Sequence, residues 1–210
     1  ITGFQMQLIK SFKALRPSPE KADEVIAPPY DVLNSEEARE MSINKPYSFL
    51  HISKPEIDLP LGIKTDNPEV YKKGAENLLK MINDKVLIQE ESECIYVYEI
   101  TINDTMQTGI ACVASVDAYE KNHIKKHEFT KPVKEDDRVM NITELKAQTG
   151  PVLLAYKNTI IISKLLTKAK EEKALYSVSA PDGSSHKVWL VSDPKEIQSI
   201  LSEINSMESL

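Results

Sequence analysis

Two β-type runs joined by a short polar segment constrain the fold of this chain more than any other feature. Residues 95–102 and 108–119 are rich in β-branched and aromatic side chains, and Asn103-Asp104-Thr105-Met106 joins them. Because a connection this short cannot return the chain for parallel pairing, the two runs predict an antiparallel hairpin. The apolar face of such a hairpin has to be covered by other elements.

Helical patterns supply that cover. The clearest is 68–83, where a proline opens the segment and Val70, Ala75, Leu78 and Ile82 recur at helical spacing. We predict further helices at 35–41, 141–149, 163–173 and 194–204, and further strands at 8–15, 48–52, 152–156, 174–179 and 187–191. This order indicates the α+β class, with a mixed, largely antiparallel sheet flanked by helices, and one α+β domain over 6–210.

Composition excludes several classes of protein. The chain has 210 residues, 41% apolar, with a formal net charge of -6, so it can bury a core and has no overall attraction to nucleic acid or anionic membranes. No apolar stretch reaches the roughly 20 residues that cross a bilayer, and the N-terminus lacks the order of a secretory signal. We therefore expect a cytoplasmic protein, and we interpret 1–5 as a cloning remnant or a read-through from an upstream start.

The two cysteines, Cys94 and Cys112, lie in or beside strand-like apolar runs. This setting favours buried free thiols over a disulfide or a metal pair. A zinc site assembled from His51, His123, His127 and Cys94 would have no recognisable ligand spacing. We do not expect one.

The segment 124–138 concentrates groups that can carry chemistry. It holds a histidine, an arginine, four lysines and four carboxylates directly after a predicted strand. The groups that could contact phosphate oxygens are Lys126, Lys134 and Arg138; those that could hold a metal ion or take a hydroxyl proton are Glu128, Asp136 and Asp137. His127 beside Glu128 suggests an acid/base pair, although neighbours on a strand point to opposite faces. The alternative is a solvated charged turn.

Three further sites remain open to two interpretations. Pro28-Pro29-Tyr30-Asp31 fixes a backbone that presents a phenol and a carboxylate together, either for chemistry or as a tight turn whose Asp31 caps local amides. His51, on the predicted strand 48–52, is either a substrate-binding or catalytic group or a hydrogen-bonded structural histidine. The acids Glu56 and Asp58 read as a solvated turn. With six glycines and neither G-x-x-x-x-G-K-[ST] nor G-x-G-x-x-G, a glycine-cradled nucleotide site is not expected.

Several motifs in series carry a family resemblance. They are Phe12-Lys13-Ala14-Leu15-Arg16-Pro17, Ala27-Pro28-Pro29-Tyr30-Asp31-Val32, Ser48-Phe49-Leu50-His51-Ile52, Pro55-Glu56-Ile57-Asp58-Leu59-Pro60, His127-Glu128 with Thr130, Lys134-Glu135-Asp136-Asp137-Arg138 and Ala147-Gln148-Thr149-Gly150-Pro151-Val152. In this order they resemble the prokaryotic family known as domain of unknown function number one thousand and fifteen.

The resemblance implies a ParB/sulfiredoxin-like fold, and members of the family are sometimes labelled Spo0J-like or ParB-like. The wider group includes kinases that phosphorylate free L-serine with a nucleotide, and the family resembles these through an Asp-Gly-His-His-Arg motif. This chain lacks that motif: Asp182-Gly183-Ser184-Ser185-His186 begins like it, and we interpret it as a hairpin turn. The chain therefore looks like the N-terminal part of a longer protein.

Two functional hypotheses follow from the residues and the resemblance together. In the first, the chain is part of a nucleotide-dependent small-molecule kinase that uses Mg²⁺ with ATP or ADP and phosphorylates a hydroxyl metabolite such as L-serine. Asp31, His127 and Glu128 would be its catalytic groups, with Tyr30 and His51 among its substrate contacts. The alternative is a ParB-like nucleotide-binding regulator or scaffold domain without turnover. If the acidic and basic residues meet in one cleft, the first hypothesis gains support.

Overall fold

A computed structural model describes residues 6–127 and 129–210. The strands are β1 (Ile9–Lys10), β2 (Leu15–Pro17), β3 (Leu87–Gln89), β4 (Ile95–Ile102), β5 (Thr105–Ala111), β6 (Val113–Ala114), β7 (Tyr176–Ser179) and β8 (Ser185–Val191). The helices are α1 (Ala22–Val25), α2 (Ser35–Met41), α3 (Leu50–Ser53), α4 (Pro68–Asn83), α5 (Val116–Glu120), α6 (Pro132–Leu145), α7 (Ile160–Ala169) and α8 (Pro194–Asn205), with 3-10 turns at Pro19–Lys21 and Pro55–Asp58.

The chain divides into two compact units. The first unit comprises the described residues of 1–15, 89–128 and 153–210, and the second unit comprises 16–88 and 129–152. The larger sheet is antiparallel and helices accompany it, which confirms the predicted α+β class.

A four-stranded antiparallel sheet organises the first unit, in the order β5-β4-β8-β7. The predicted hairpin is its edge pair: Ile102 is opposite Thr105, and Asn103 takes a left-handed conformation with φ of 51° in the turn. The second hairpin joins β7 to β8 through a loop in which Gly183 has φ of 85°. The interpretation as a hairpin turn is therefore confirmed for 182–184, whereas Ser185 and His186 already belong to β8.

One apolar core lies between this sheet and helices α7 and α8. Ile95, Val97 and Trp189 contribute from the sheet, and Ile162 and Ile200 contribute from the helices. Asn205 near the end of α8 accepts hydrogen bonds from the backbone N–H groups of Leu8 and Ile9, so the first strand is fixed to the last helix.

The second unit is mainly helical. A small core forms around Ala38, Leu50 and Ile57. Helix α4 approaches the 3-10 turn at Pro55 so closely that a Cβ added to Gly74 would lie 2.9 Å from Pro55 Cγ. This close approach requires glycine at that point of the helix.

Several predicted elements are confirmed. Helix α4 spans the predicted residues 68–83, and α8 extends the predicted helix at 194–204 by one residue. Helix α2 begins after Asn34, whose side chain accepts from the N–H groups of Glu36 and Glu37 in a capping box. Cys94 is buried, Cys112 is partly buried, and both are free, as predicted.

The predicted strand at 48–52 is wrong, because this segment is helical. The N–H groups of Ser53 and Lys54 bond the carbonyls of Phe49 and Leu50, and these local bonds satisfy the backbone without a partner strand. A short apolar run cannot be assigned to helix or strand from its periodicity alone.

The chain between 121 and 156 also differs from the prediction. Helix α6 begins at Pro132 and ends at Leu145, before Lys146 in a left-handed conformation, so the helix predicted at 141–149 starts nine residues too late. The charged groups of 132–138 therefore lie on a helix and not in a loop. The predicted buried strand at 152–156 is absent from the described chain: these residues form no regular structure, and Val152 is 74% exposed.

The remaining errors concern element ends. The predicted strand at 8–15 is interrupted between β1 and β2, and the predicted strand at 108–119 gives way to β6 and α5. None of the helices in the described part of the chain is long and apolar enough to span a membrane.

Candidate functional site

A cleft of about 820 Å³ opens on the surface of the second unit. The turn after Pro29, the 3-10 turn at Pro55–Asp58, the start of α4 and one face of α6 all contribute to its walls. Six of the residues to which the sequence analysis assigns a role in the site line it: Tyr30, Asp31, Lys134, Asp136, Asp137 and Arg138. Residues more than a hundred positions apart in the chain thus share one cavity.

The proline pair determines how the first wall is formed. Val32 N–H bonds the carbonyl of Pro29, which closes a turn and directs Tyr30 and Asp31 to the cleft. The Asp31 carboxylate is exposed and accepts no hydrogen bond from the described residues, and Asn34 caps the helix that follows. The alternative in which Asp31 caps local amides is therefore not what the structure shows.

Helix α6 supplies the opposite wall through a periodic face. Lys134, Arg138 and Asn141 are spaced by four and three residues, so they lie along one side of the helix, and all three line the cleft. Proline at the first helical position begins this helix early enough to include the basic residues.

Arg138 is the most strongly positioned group of the site. Its Nε and Nη2 donate to Asp137 Oδ2 at 3.0 Å and 2.5 Å, and its guanidinium carbon lies 4.1 Å from the centre of the Tyr30 ring. Tyr71 donates from its hydroxyl to Asp137 Oδ1 at 2.8 Å. Burial and then this hydrogen bond raise the pKa of Tyr71 to about 12, so the phenol stays a donor. Nη1 of Arg138 makes no hydrogen bond with the described residues and is available to a ligand.

A buried ion pair between Lys54 and Glu56 forms another part of the cleft lining. Lys54 Nζ lies 3.0 Å from Glu56 Oε1, with side-chain exposures of 12% and 6%, and Ser35 donates to the same oxygen at 2.8 Å. Arg39 donates to the carbonyls of Ile57, Glu56 and Leu59 and fixes the 3-10 turn. The interpretation of Glu56 as part of a solvated turn is therefore wrong.

Two buried polar groups of the cleft lack good partners. The Ser53 hydroxyl is buried and makes no hydrogen bond within the described chain. Asn141 is 3% exposed; its Oδ1 accepts from Thr149 at the long distance of 3.5 Å, and its Nδ2 donates to none of the described residues. The sequence does not indicate the roles of Ser53, Lys54, Tyr71 and Asn141, because single polar residues in helical or apolar runs carry no local signal.

His51 is held by local partners and is not among the residues that line the cleft. Nδ1 lies 2.9 Å from the Asp58 carboxylate and Nε2 lies 3.0 Å from the carbonyl of Lys45. Both partners are acceptors, so the ring satisfies them best as a doubly protonated cation. The hydrogen bond to Asp58 accordingly raises the pKa of His51. Burial alone would raise the pKa of Asp58, but its bonds with His51 and Asn77 lower it.

This pair predicts a pH-dependent contribution to stability. Because the pKa of His51 is raised in the folded state, protonated His51 stabilises the fold at pH values below its ordinary pKa of 6.5. This contribution disappears as the pH rises through the pKa of His51 in the folded protein. The lowered pKa of Asp58 contributes above 3.8 and is lost as pH falls through its folded value. Replacing His51→Gln should therefore reduce the free energy of unfolding more at about pH 5.5 than at about pH 8.5, as measured by urea denaturation. His127→Gln, at an exposed position, is the control; an equal loss for His51→Gln at both pH values would contradict the prediction.

The other sequence-derived site residues belong to the first unit or lie outside the described residues. Lys126 Nζ lies 4.5 Å from the centre of the Tyr119 ring, and His127 is exposed. Glu128 is outside the described residues. Within 6–127 and 129–210, no group of three or more histidine, cysteine, aspartate or glutamate side chains is arranged to hold a metal ion.

Comparison with known proteins places the chain in a family. The chain matches no curated protein and no solved structure. The sequence profile described as "Protein of unknown function (DUF1015)" matches residues 9–210, which include both walls of the cleft and nearly the whole chain. The chain belongs to this family of proteins of unknown function.

Proposed function

We propose that the cleft of the second unit is the acceptor side of a nucleotide-dependent phosphotransferase that phosphorylates a small hydroxyl metabolite, with L-serine as the first candidate. One observation carries this proposal. A free carboxylate at Asp31 and a fixed guanidinium at Arg138 line the same cavity, together with Lys134. Phosphoryl transfer depends mainly on such positioning and on neutralisation of the phosphate charge.

The chemistry can be assigned to side chains. Asp31 would accept the proton of the substrate hydroxyl while the oxygen of that hydroxyl forms a bond to the terminal phosphorus of the nucleotide. The bond from that phosphorus to the bridging oxygen breaks, and the shortened nucleotide leaves. Arg138 and Lys134 would bind the oxygens of the transferred group, where Arg138 offers its unengaged Nη1 in a fixed plane.

Mg²⁺ with ATP or ADP is the cofactor of this proposal, and the acidic residues of α6 differ in their suitability for the ion. Both oxygens of Asp137 are engaged, by Tyr71 and by Arg138, whereas Asp136 is exposed and has no partner among the described residues. Mg²⁺ is commonly held by one or two carboxylates and by substrate phosphates. We therefore assign the metal contact to Asp136 and an orienting role to Asp137; the ion would neutralise phosphate charge.

The test is a transfer assay. Full-length protein, Mg²⁺ and ATP or ADP are incubated with a panel of hydroxyl metabolites that includes L-serine, and products are followed by ³¹P NMR. We expect phosphoserine, with kcat reduced by about a hundredfold or more in Asp31→Asn. Asp23→Asn, at an exposed aspartate of the same unit, is the matched control. Absence of a phosphorylated product across the panel would contradict the proposal, and nucleotide binding without transfer would favour a regulator.

Two finer assignments accompany this proposal. The relation to ParB/sulfiredoxin-like proteins rests on the series of motifs described above. A cytoplasmic location is supported by the two free thiols, because disulfides are rare in reducing compartments.

A further inference from the structure

We infer that Ser53 and Asn141 form a buried, uncharged subsite in the cleft that binds the carboxylate of the substrate. This inference rests on the proposed function and narrows its substrate class to small hydroxy acids and hydroxy amino acids.

The first argument is that a buried hydroxyl and a largely buried amide have donors that bond no described residue. The Ser53 hydroxyl has no hydrogen bond in the described chain, and the Asn141 amide is 3% exposed with no acceptor for its Nδ2 there. A buried polar group without a partner destabilises a protein, so such groups are rare and call for an explanation. A ligand that brings acceptor oxygens into the cleft would satisfy both groups.

The second argument is the gradient of exposure along the cleft. Lys134 and Asp31 are exposed, and the side chain of Arg138 is 30% exposed. Asn141, one turn further along α6, is buried, and the hydroxyl of Ser53 is buried as well. Lys134 and Arg138 therefore lie nearer the solvent than Ser53 and Asn141, while the buried cation Lys54 is already paired with Glu56.

The third argument is charge. A phosphate group carries up to two negative charges, and removing it from water costs much free energy. The phosphate is therefore more stable in the exposed, cationic part of the cleft. A carboxylate carries one charge and two acceptor oxygens, which matches a hydroxyl donor and an amide donor. Arg138 precedes Asn141 by three residues on α6 and lines the same cleft, and Lys54 is already paired with Glu56.

The experiment measures binding without nucleotide. The affinities of full-length protein for L-serine, D-glycerate and ethanolamine are compared by isothermal titration calorimetry. Serine and glycerate share a carboxylate and a hydroxyl, and ethanolamine lacks the carboxylate. We expect ethanolamine to bind at least about tenfold more weakly than serine. Asn141→Leu and Ser53→Ala should each weaken serine binding by about tenfold or more, and Thr143→Ala, at an exposed position of α6 outside the cleft lining, should leave it unchanged.

Thermal unfolding separates a binding role from a structural one. Ser53→Ala removes a buried hydroxyl that has no partner within the described chain, so its Tm without ligand should equal or exceed that of the wild type. Asn141→Leu also removes the long contact with Thr149, so its Tm should fall only slightly. A lowered Tm with unchanged serine affinity would overturn the inference, and so would equal binding of ethanolamine or no binding of serine and glycerate. If serine and glycerate bind as expected but no phosphoryl transfer occurs, the proposed subsite is supported and the proposed phosphotransferase is contradicted. If phosphoryl transfer to ethanolamine is as fast as to serine, the phosphotransferase is supported and the carboxylate subsite is contradicted.

Discussion

Replacing Arg138→Gln should lower kcat/KM for phosphoryl transfer by about a hundredfold or more, because the site loses an oriented planar cation. The guanidinium is held by two hydrogen bonds to Asp137 and by the face of Tyr30. Glutamine keeps the polarity but cannot supply a charge to the phosphate. Steady-state kinetics on full-length protein, with L-serine varied at saturating nucleotide, provide the measurement.

The lysine variant makes this prediction specific. Arg138→Lys retains the charge but loses the planar fork that bonds Asp137 and stacks on Tyr30, so it should recover no more than about a tenth of the activity. Asp137→Asn should give an intermediate loss, since it loosens Arg138 without removing it. Full activity in Arg138→Lys would show that only charge matters, and wild-type activity in Arg138→Gln would remove the residue from the site.

Replacing Glu56→Gln should reduce the free energy of unfolding by about 3 kcal/mol. Glu56 compensates Lys54, and both side chains are nearly buried, so the change leaves an ammonium group in a poorly solvated place. Denaturation with urea, followed by a tyrosine or circular dichroism signal, gives the value. The exposed pair of Glu69 and Lys72 on α4 supplies the matched control, and Glu69→Gln should change the free energy by less than about 0.5 kcal/mol.

A double variant tests the cause of that loss. Lys54→Met combined with Glu56→Leu removes both charges and should recover most of the lost stability, since apolar replacements of a buried pair are often neutral. Recovery would assign the loss to the uncompensated lysine. If the double variant were less stable than Glu56→Gln, the contacts of Glu56 itself, including that with Ser35, would be the main contribution.

The elements that sequence predicted correctly carry strong local signals. Helices α4 and α8 both begin with proline after a side-chain cap, Asn67 and Asp193, so their starts are determined within a few residues. The hairpin of β4 and β5 is likewise determined by two β-type runs and a short turn. In each case the pattern and its boundaries lie in the same stretch of chain.

The errors arose where distant contacts decide the structure. The segment containing His51 is helical because its backbone bonds are local and its apolar side chains are enclosed by the second unit. Helix α6 includes a charged first half because Asp137 and Arg138 find partners on other segments, Tyr71 and Tyr30. Propensity and charge patterns do not contain these contacts.

The candidate site was predictable in part for the same reason. Tyr30, Asp31 and four charged residues of α6 are recognisable in the sequence as clusters of chemical groups, and the structure brings them to one cleft. The four are Lys134, Asp136, Asp137 and Arg138. Ser53 and Asn141 stood out only when their burial and missing partners were known. For His51 the sequence left a functional and a structural interpretation open, and in the structure its ring contacts Asp58 and the carbonyl of Lys45.

A crystal structure of the full-length protein grown with L-serine, ADP and Mg²⁺ tests the central claim most directly. We expect serine between Tyr30 and α6, with its carboxylate within hydrogen-bond distance of Asn141 Nδ2 and the nucleotide phosphate in contact with Arg138. Serine and nucleotide bound outside this cleft, with Arg138 and Asn141 free of ligand, would contradict it.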